Sequence, residues 1–193
     1  METTEIGLER REQIADAACA LYGEKGIERT SVKDVTERAG ITRSLFYHYF
    51  SNKEQLTDAI LERYVTNFVT AVKAWNEARV ERDVAGALRH CVALLRQLLL
   101  ERDSFRRLLL NKENAALYLN FSQRAAEAVA RYLTETTAVD YVKFHELGIK
   151  HVYESFYLLI FGLIGFMRQY PEASDELLAD LIADTLHLDL SGA

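Results

Sequence analysis

Proline is almost missing from this chain: Pro171 stands alone in 193 residues, where average usage of about 5% would give roughly ten. Glycine is scarce too, at 9, against a usual share of ~7%. So few breakers argue against a turn-rich β-sandwich and against a collagen-like chain. Cysteine is down to Cys19 and Cys91, too few for a disulfide framework or a four-thiolate zinc site. Both lie among helical apolar positions and read as small buried hydrophobes. Long apolar runs are missing as well. The longest, Phe156 to Met167, has 12 residues, while about 20 are needed to span a bilayer. The start, Met1-Glu2-Thr3-Thr4-Glu5, is acidic and lacks the basic and apolar regions of a signal peptide. The expectation is a soluble, cytoplasmic protein with no membrane partner. Net positive charge is also missing. The formal charge is -6, which on its face argues against a polyanionic partner.

What is present is ordinary globular stock, 49% hydrophobic and 27% charged, which excludes a largely disordered chain. Its length suits one large domain or two small ones sharing a core. The apolar residues repeat at helical spacing. Ile14, Ala17, Ala18, Leu21 and Tyr22 predict a first helix ending near Gly23. Ser31 with Asp34 three residues on predicts the cap of a second, over Val32 to Ala39, stopped by Gly40. Thr42 caps a short third helix, Arg43 to Tyr49. Ser51 with Glu54 reads as a capping box that opens a long fourth helix, with Leu56, Ile60, Tyr64, Phe68, Val72 and Trp75 along one face. Further helices are expected over 84–101, 104–110, 113–135, 141–169 and 174–188, the last two parted by Pro171. The expected fold is all-α, with about nine helices.

A helix, a turn at Gly40 and a second short helix are the parts of a helix-turn-helix. In that motif the second helix enters the major groove and its first residues reach base edges. Thr42, Arg43 and Ser44 stand at that position, with Tyr47 and His48 one turn on. Arg43 suits bidentate contact with guanine. The hydroxyls of Thr42, Ser44 and Tyr47 suit phosphate or base, and Lys53 at a helix start suits phosphate. Ser31 serves as cap, phosphate contact or both. Tyr47 and His48 read equally as packing aromatics, whereas Val32, Val35, Ile41, Leu45, Phe46 and Phe50 read as a small core. Between Arg29 and Lys53 five cations (Arg29, Lys33, Arg38, Arg43, Lys53) face two anions (Asp34, Glu37), a local net charge of +3 that leaves -9 for the remainder. The acidity therefore lies outside the candidate reading surface.

The stretch from Thr30-Ser31-Val32-Lys33-Asp34-Val35 through Ala39-Gly40-Ile41-Thr42-Arg43-Ser44-Leu45-Phe46-Tyr47-His48-Tyr49-Phe50-Ser51-Asn52-Lys53-Glu54 resembles the signature of the TetR family of transcriptional regulators. The likeness covers about residues 10–60. It departs at Thr36, where the family more often has alanine. The resemblance implies a DNA-binding domain over 1–52 and a helical ligand-binding and dimerisation domain over 53–193. It also implies a homodimer on double-stranded palindromic DNA, with half-sites about 34–36 Å or multiples apart.

A predicted eighth helix that is apolar nearly all round must be covered on both sides. Val152, Phe156, Ile160, Leu163 and Met167 there, with Leu178, Leu181 and Ile182 on the last helix, are the expected dimer interface; the alternative is an intramolecular core. Gly162 and Gly165 fit a close helix approach. A small, mostly apolar effector is implied among the middle helices, with Tyr64, Phe68, Trp75, His90, Phe105, Tyr118, Phe121 and Tyr153 as candidate contacts. Plain core is the competing role for each ring. The five histidines lack the spacing of a zinc-binding helix, and no nucleophile elbow, phosphate loop or paired-acid motif occurs. No metal, cofactor or catalytic residue is expected. Repression relieved by ligand is the expected activity. Open alternatives are an activator, a regulator controlled by a protein partner, and an all-α ligand-binding or enzymatic domain without DNA binding.

Overall fold

The computed structural model describes residues 2–80, 82–101 and 103–188, with the side chains of 2–6, 101 and 103–106 left aside. Its elements are α1 (Glu2–Lys25), α2 (Val32–Ala39), α3 (Arg43–Tyr49), α4 (Lys53–Glu77), α5 (Val84–Arg96), α6 (Asp103–Leu110), α7 (Ala115–Glu135), α8 (Thr137–Tyr141), α9 (Val152–Gln169) and α10 (Asp175–Leu186). A π-helical segment, Gln97–Glu101, prolongs α5, and a 3-10 turn, Lys112–Asn114, precedes α7. Among the described residues there is no strand, and no helix there is long and apolar enough to cross a membrane.

The chain divides into two compact units, residues 1–64 with 103–119, and residues 65–102 with 120–193. The continuous helix α4 thus contributes to both.

In the first unit α1 buries Ile14, Ala18, Leu21 and Tyr22. Against its last turn lies α6, so close that a Cβ on Gly23 would stand 3.0 Å from the Arg107 Cβ. Two asparagines seal this junction. Asn111 Nδ2 donates to the Tyr22 and Gly23 carbonyls. Asn114, 1% exposed, accepts the Ile27 amide and donates to the Tyr22 and Leu108 carbonyls. Carbonyls at a helix end have no partner within the helix, and here side chains from a distant segment supply it.

α2 opens with the expected Ser31–Asp34 capping box. It closes on Gly40 at φ +65, with Gly40 N–H donating to Glu37 and Ile41 N–H to Thr36, the Schellman arrangement. Thr36, the departure from the family pattern, is 4% exposed, and its hydroxyl donates to the Lys33 carbonyl at 2.9 Å. The extra polar atom is therefore satisfied inside its own helix.

α4 starts one residue later than the sequence suggests. Asn52, not Ser51, is its cap: Asn52 Oδ1 accepts the Gln55 amide at 2.7 Å, and Gln55 Oε1 accepts the Ser51 amide at 2.6 Å. Asparagine caps as well as serine does, so the register was decided by which residue three places on could answer, Gln55 rather than Glu54.

In the second unit α5, α9 and α10 pack together. Arg96 ties α5 to the turn before α10, with Nε on Asp175 Oδ1 at 2.7 Å and its Nη atoms on the Pro171 and Ala173 carbonyls. Ser174 caps α10 as expected. The predicted helix 141–169 is helical only from Val152 on. α8 stops at Tyr141 and α9 starts at Val152, and 142–151 runs as turns and irregular chain. Gly148 explains part of this break. A Cβ there would stand 2.7 Å from the Cβ of His187, so the segment is pinned where the backbone must pass the end of α10.

Candidate nucleic-acid interface and internal cavity

α3 has one apolar side and one bare side. Phe46 and Phe50 are buried at 0% and 1%, 6.0 Å apart between ring centroids, and hold the helix to its unit. Thr42, Arg43, Ser44, Tyr47 and His48 are all exposed. Thr42 also caps α3, accepting the Leu45 amide at 3.2 Å. Tyr47 is 55% exposed, with its ring edge-on to Phe46 at 5.3 Å. His48 lies edge-on to Tyr49 at 5.0 Å. These five side chains form a contiguous polar and aromatic surface on less than three turns.

The two remaining expected contacts carry structural duties. Ser31 Oγ donates to Asp34 Oδ2 at 2.6 Å and accepts the Asp34 amide at 3.2 Å. Those bonds hold the Asp34 carboxyl well below the usual carboxylate range, with a smaller contribution from Lys25. Lys53 is half-buried, and its Nζ donates to the Ile27 and Thr30 carbonyls at 3.0 and 3.1 Å. Standing in the first turn of α4, it ties the α1–α2 turn down. An ammonium has three protons, so one stays available for a phosphate.

The second unit encloses a cavity of about 590 Å³, within the range of small-molecule sites. Of the expected ligand contacts, Phe68 and Trp75 line it. Phe121 lies one layer behind, fully buried and edge-on to Phe68 at 5.8 Å. His90 is exposed, and Tyr153 sits beside Tyr157 on α9; neither is on the wall. Tyr64 and Tyr118 belong to the first unit, where the Tyr64 hydroxyl lies 3.0 Å from Cys19 Sγ. The side chain of Phe105 lies outside the described residues.

The polar part of the wall comes from residues the sequence did not single out for a ligand. Asn76, Arg79, Thr137, Asp140, Tyr141 and His145 are there, as is Cys91. Desolvation pushes the Cys91 thiol up to about 12. No local pattern marks this group, because it converges from α4 and the turn after it, α5, α8 and the irregular segment after α8.

The face of α9 expected to meet a partner is turned inward instead. Phe156, Ile160, Leu163 and Met167 are 1–8% exposed, and Leu178 and Ile182 of α10 are equally buried. Phe156, Ile160, Leu163 and Ile182 line the cavity. Val152 and Leu181 are half-buried. A helix apolar nearly all round gives little sequence clue to its rotation, and here the cavity and the core took the face of Phe156, Ile160, Leu163 and Met167. The open apolar residues are Leu158, 67% exposed, and Leu177, 43% exposed. Near Leu158, Tyr157 and Phe161 stack at 6.1 Å, and a Cβ on Gly162 would meet nothing within 4 Å.

Comparison with known proteins follows this division. Residues 14–60 match the model of the family described as bacterial regulatory proteins, tetR family. The HTH-type transcriptional repressor KstR2 of Rhodococcus jostii is 38% identical over 56 residues, 29% of this chain and 28% of that protein. The HTH-type transcriptional regulator TtgR of Pseudomonas putida is 34% identical over 87 residues, 45% of this chain and 41% of TtgR. The chain thus spans less than half the length of the curated relatives it matches. Over nearly the whole chain the fold is similar to that of the fatty acid degradation regulator FadR from Bacillus halodurans, with a TM-score of 0.71 at 19% identity, covering 94% of this chain and 96% of that one. By its N-terminal helices the chain is thus similar to the bacterial regulatory proteins of the tetR family, and by its all-helical fold it is similar to FadR.

Proposed function

We propose that this protein is a homodimeric regulator of transcription that reads a palindromic operator through α3 and represses until a small, mostly apolar molecule enters the cavity of its second unit. The observation that carries DNA reading is the bare side of α3, where five side chains suited to phosphate and base edges stand exposed while Phe46 and Phe50 anchor the other side. The +3 charge of residues 29–53 supplies the electrostatic part. Arg43 reads a base, Lys53 and Ser31 hold phosphate while serving as local braces, and Thr42, Ser44, Tyr47 and His48 complete the contact.

One such helix makes few contacts, and a dimer doubles them on two half-sites. The open strip of α9 and α10, with Leu158, Phe161, Gly162 and Leu177, is the dimer surface we assign in place of the inward face. Gly162 there lets a partner helix come close. Effector control follows from linkage: a ligand that binds best to a form with mismatched α3 spacing lowers operator affinity in proportion. α4 is the element that carries the change, because it supplies Lys53 to the first unit and Trp75 to the cavity wall.

The test is a gel shift of the full-length protein against DNA upstream of its own gene, with Arg43→Ala alongside. Retarded bands for the wild type and their loss with Arg43→Ala support the proposal. Retardation of arbitrary DNA by both proteins alike overturns it.

A further inference from the structure

We infer that the cavity is built for an uncharged, largely hydrophobic molecule carrying a single oxygen function, a hydroxyl or a carbonyl, that pairs with His145. This deepens the proposed effector response and rests on it for its biological meaning, though not for its chemistry.

The hydrogen-bond state of the wall carries the inference. Asn76 donates to the Tyr132 hydroxyl and accepts from Thr137 and Arg79. Arg79 also pairs with Asp140, which is held in turn by Lys143. Asp83 caps α5 through the Gly86 amide, and Thr136 donates to the Tyr132 carbonyl. These wall groups have their partners within the protein. His145 differs: its Nε2 is shut off from solvent and has no hydrogen-bond partner among the described residues. Buried polar atoms without partners are rare because each carries its full desolvation cost. His145 is one of the cavity's lining residues, and one such atom beside wall groups that are already paired asks for one complementary group.

The ring can meet that group. His145 stacks on Tyr141 at 4.7 Å with 24° between planes. A half-turn about Cβ–Cγ keeps the stack while exchanging Nε2 with Cε1. The imidazole nitrogen can donate to a carbonyl or accept from a hydroxyl.

The charge of the wall argues against an ionised head. Its fixed charges are Arg79 and Arg82 against Glu77, Asp83 and Asp140, a net of -1. Arg79 is already neutralised by Asp140, and the Arg82 guanidinium sits over the Phe144 ring at 4.4 Å. A carboxylate entering here loses its water against a wall whose anions outnumber its cations. A second hydroxyl meets a wall rich in apolar side chains, such as Leu95, Leu163 and Ile182.

The chain provides its own reporter, since Trp75 is its single tryptophan and lines the cavity. The experiment titrates the full-length protein with 1-decanol, 2-decanone, decanoate, 1,10-decanediol and n-pentylbenzene, following Trp75 fluorescence without DNA. The expected order puts decanol and decanone above decanoate and the diol by about tenfold or more. His145→Phe keeps the stack and removes the nitrogen. It should weaken decanol and decanone about five- to tenfold and leave pentylbenzene unchanged, while His145→Gln recovers most of the loss. Decanoate or the diol binding as tightly as decanol overturns the inference, as does His145→Phe leaving the oxygenated probes unaffected. If the variants fail to fold, the wild-type order alone decides. A gel shift in parallel separates the two levels: DNA binding with the wrong probe order refutes only the cavity chemistry, and the right order without DNA binding refutes only the regulator.

Discussion

Replacing Asn114 by alanine removes three hydrogen bonds from the first unit at once. Its Oδ1 accepts the Ile27 amide at 2.9 Å, and its Nδ2 donates to the Tyr22 and Leu108 carbonyls at 2.9 and 3.0 Å. The carbonyl of Tyr22 keeps Gly26 N–H and Asn111 as donors, so its loss is the smallest. The Ile27 amide loses the acceptor it has. Net bonds of about 1 kcal/mol each, plus a stranded donor, give a destabilisation of roughly 2–4 kcal/mol. At an ordinary urea dependence of about 1–3 kcal/mol/M, the midpoint falls by about 1–2 M. Far-UV ellipticity in urea measures that shift. Hydrogen exchange at Ile27 locates it, because the amide should exchange faster well before global unfolding. Asn111→Ala removes long bonds to the Tyr22 and Gly23 carbonyls, 3.2 and 3.3 Å, and an exposed cap on the Glu113 amide, and should lose less, about 1–2 kcal/mol. An Asn114→Ala midpoint within about 0.3 M of wild type, with Ile27 exchange unchanged, would show that the α6–α1 junction is held by apolar packing alone.

Other outcomes follow from the same geometry. Arg43→Ala should cost about 1–3 kcal/mol on the specific operator if it reads guanine, with the melting temperature unchanged because its side chain is exposed. Lys53→Ala should weaken binding on all sequences and lower the salt slope by about one, and it should also lower the melting temperature, since the Thr30 carbonyl loses the Lys53 donor and the Ile27 carbonyl keeps only the Thr30 amide. Gly40→Ala should cost about 1 kcal/mol from backbone conformation alone, because φ is +65 and nothing lies within 4 Å of an added Cβ; differential scanning calorimetry reads the loss. Cys91 should react slowly with iodoacetamide at pH 8 in the native protein and rapidly in urea. Its folded pKa is raised to about 12 from 9.0, so the linked stability is full below pH 9 and lost as pH rises toward 12.

What was legible in the sequence was whatever is decided within a few residues. Ser31 with Asp34, Gly40 and Thr42 marked the ends of α2 and α3, because caps and left-handed stops act through neighbours. The α4 cap shows the resolution of such signals: Ser51 and Asn52 are equal candidates, and the side chain of Gln55 settled a choice that composition left open. Features decided across the chain were hidden. Helical spacing runs on through 142–151, yet the close pass of Gly148 and His187 interrupts the helix there. The rotation of α9 was illegible because the helix is apolar nearly all round, so the face of Phe156, Ile160 and Leu163 read as an interface though it is turned into the cavity. Aromatic residues named for that cavity were partly its walls, as with Phe68 and Trp75, and partly core, as with Phe121. His145 escaped notice because its significance lies in the partner it lacks, which no sequence records.

The central claim, sequence reading by α3, is tested most directly by the specificity ratio. Fluorescence anisotropy of the full-length protein on its operator duplex and on a scrambled duplex of equal composition, across a range of salt, gives that ratio and the salt slope together. The expected result is a preference of at least a thousandfold for the operator, two protomers per duplex, and a ratio that shrinks about ten- to hundredfold with Arg43→Ala. Equal affinity for both duplexes, or a ratio indifferent to Arg43→Ala, would contradict it.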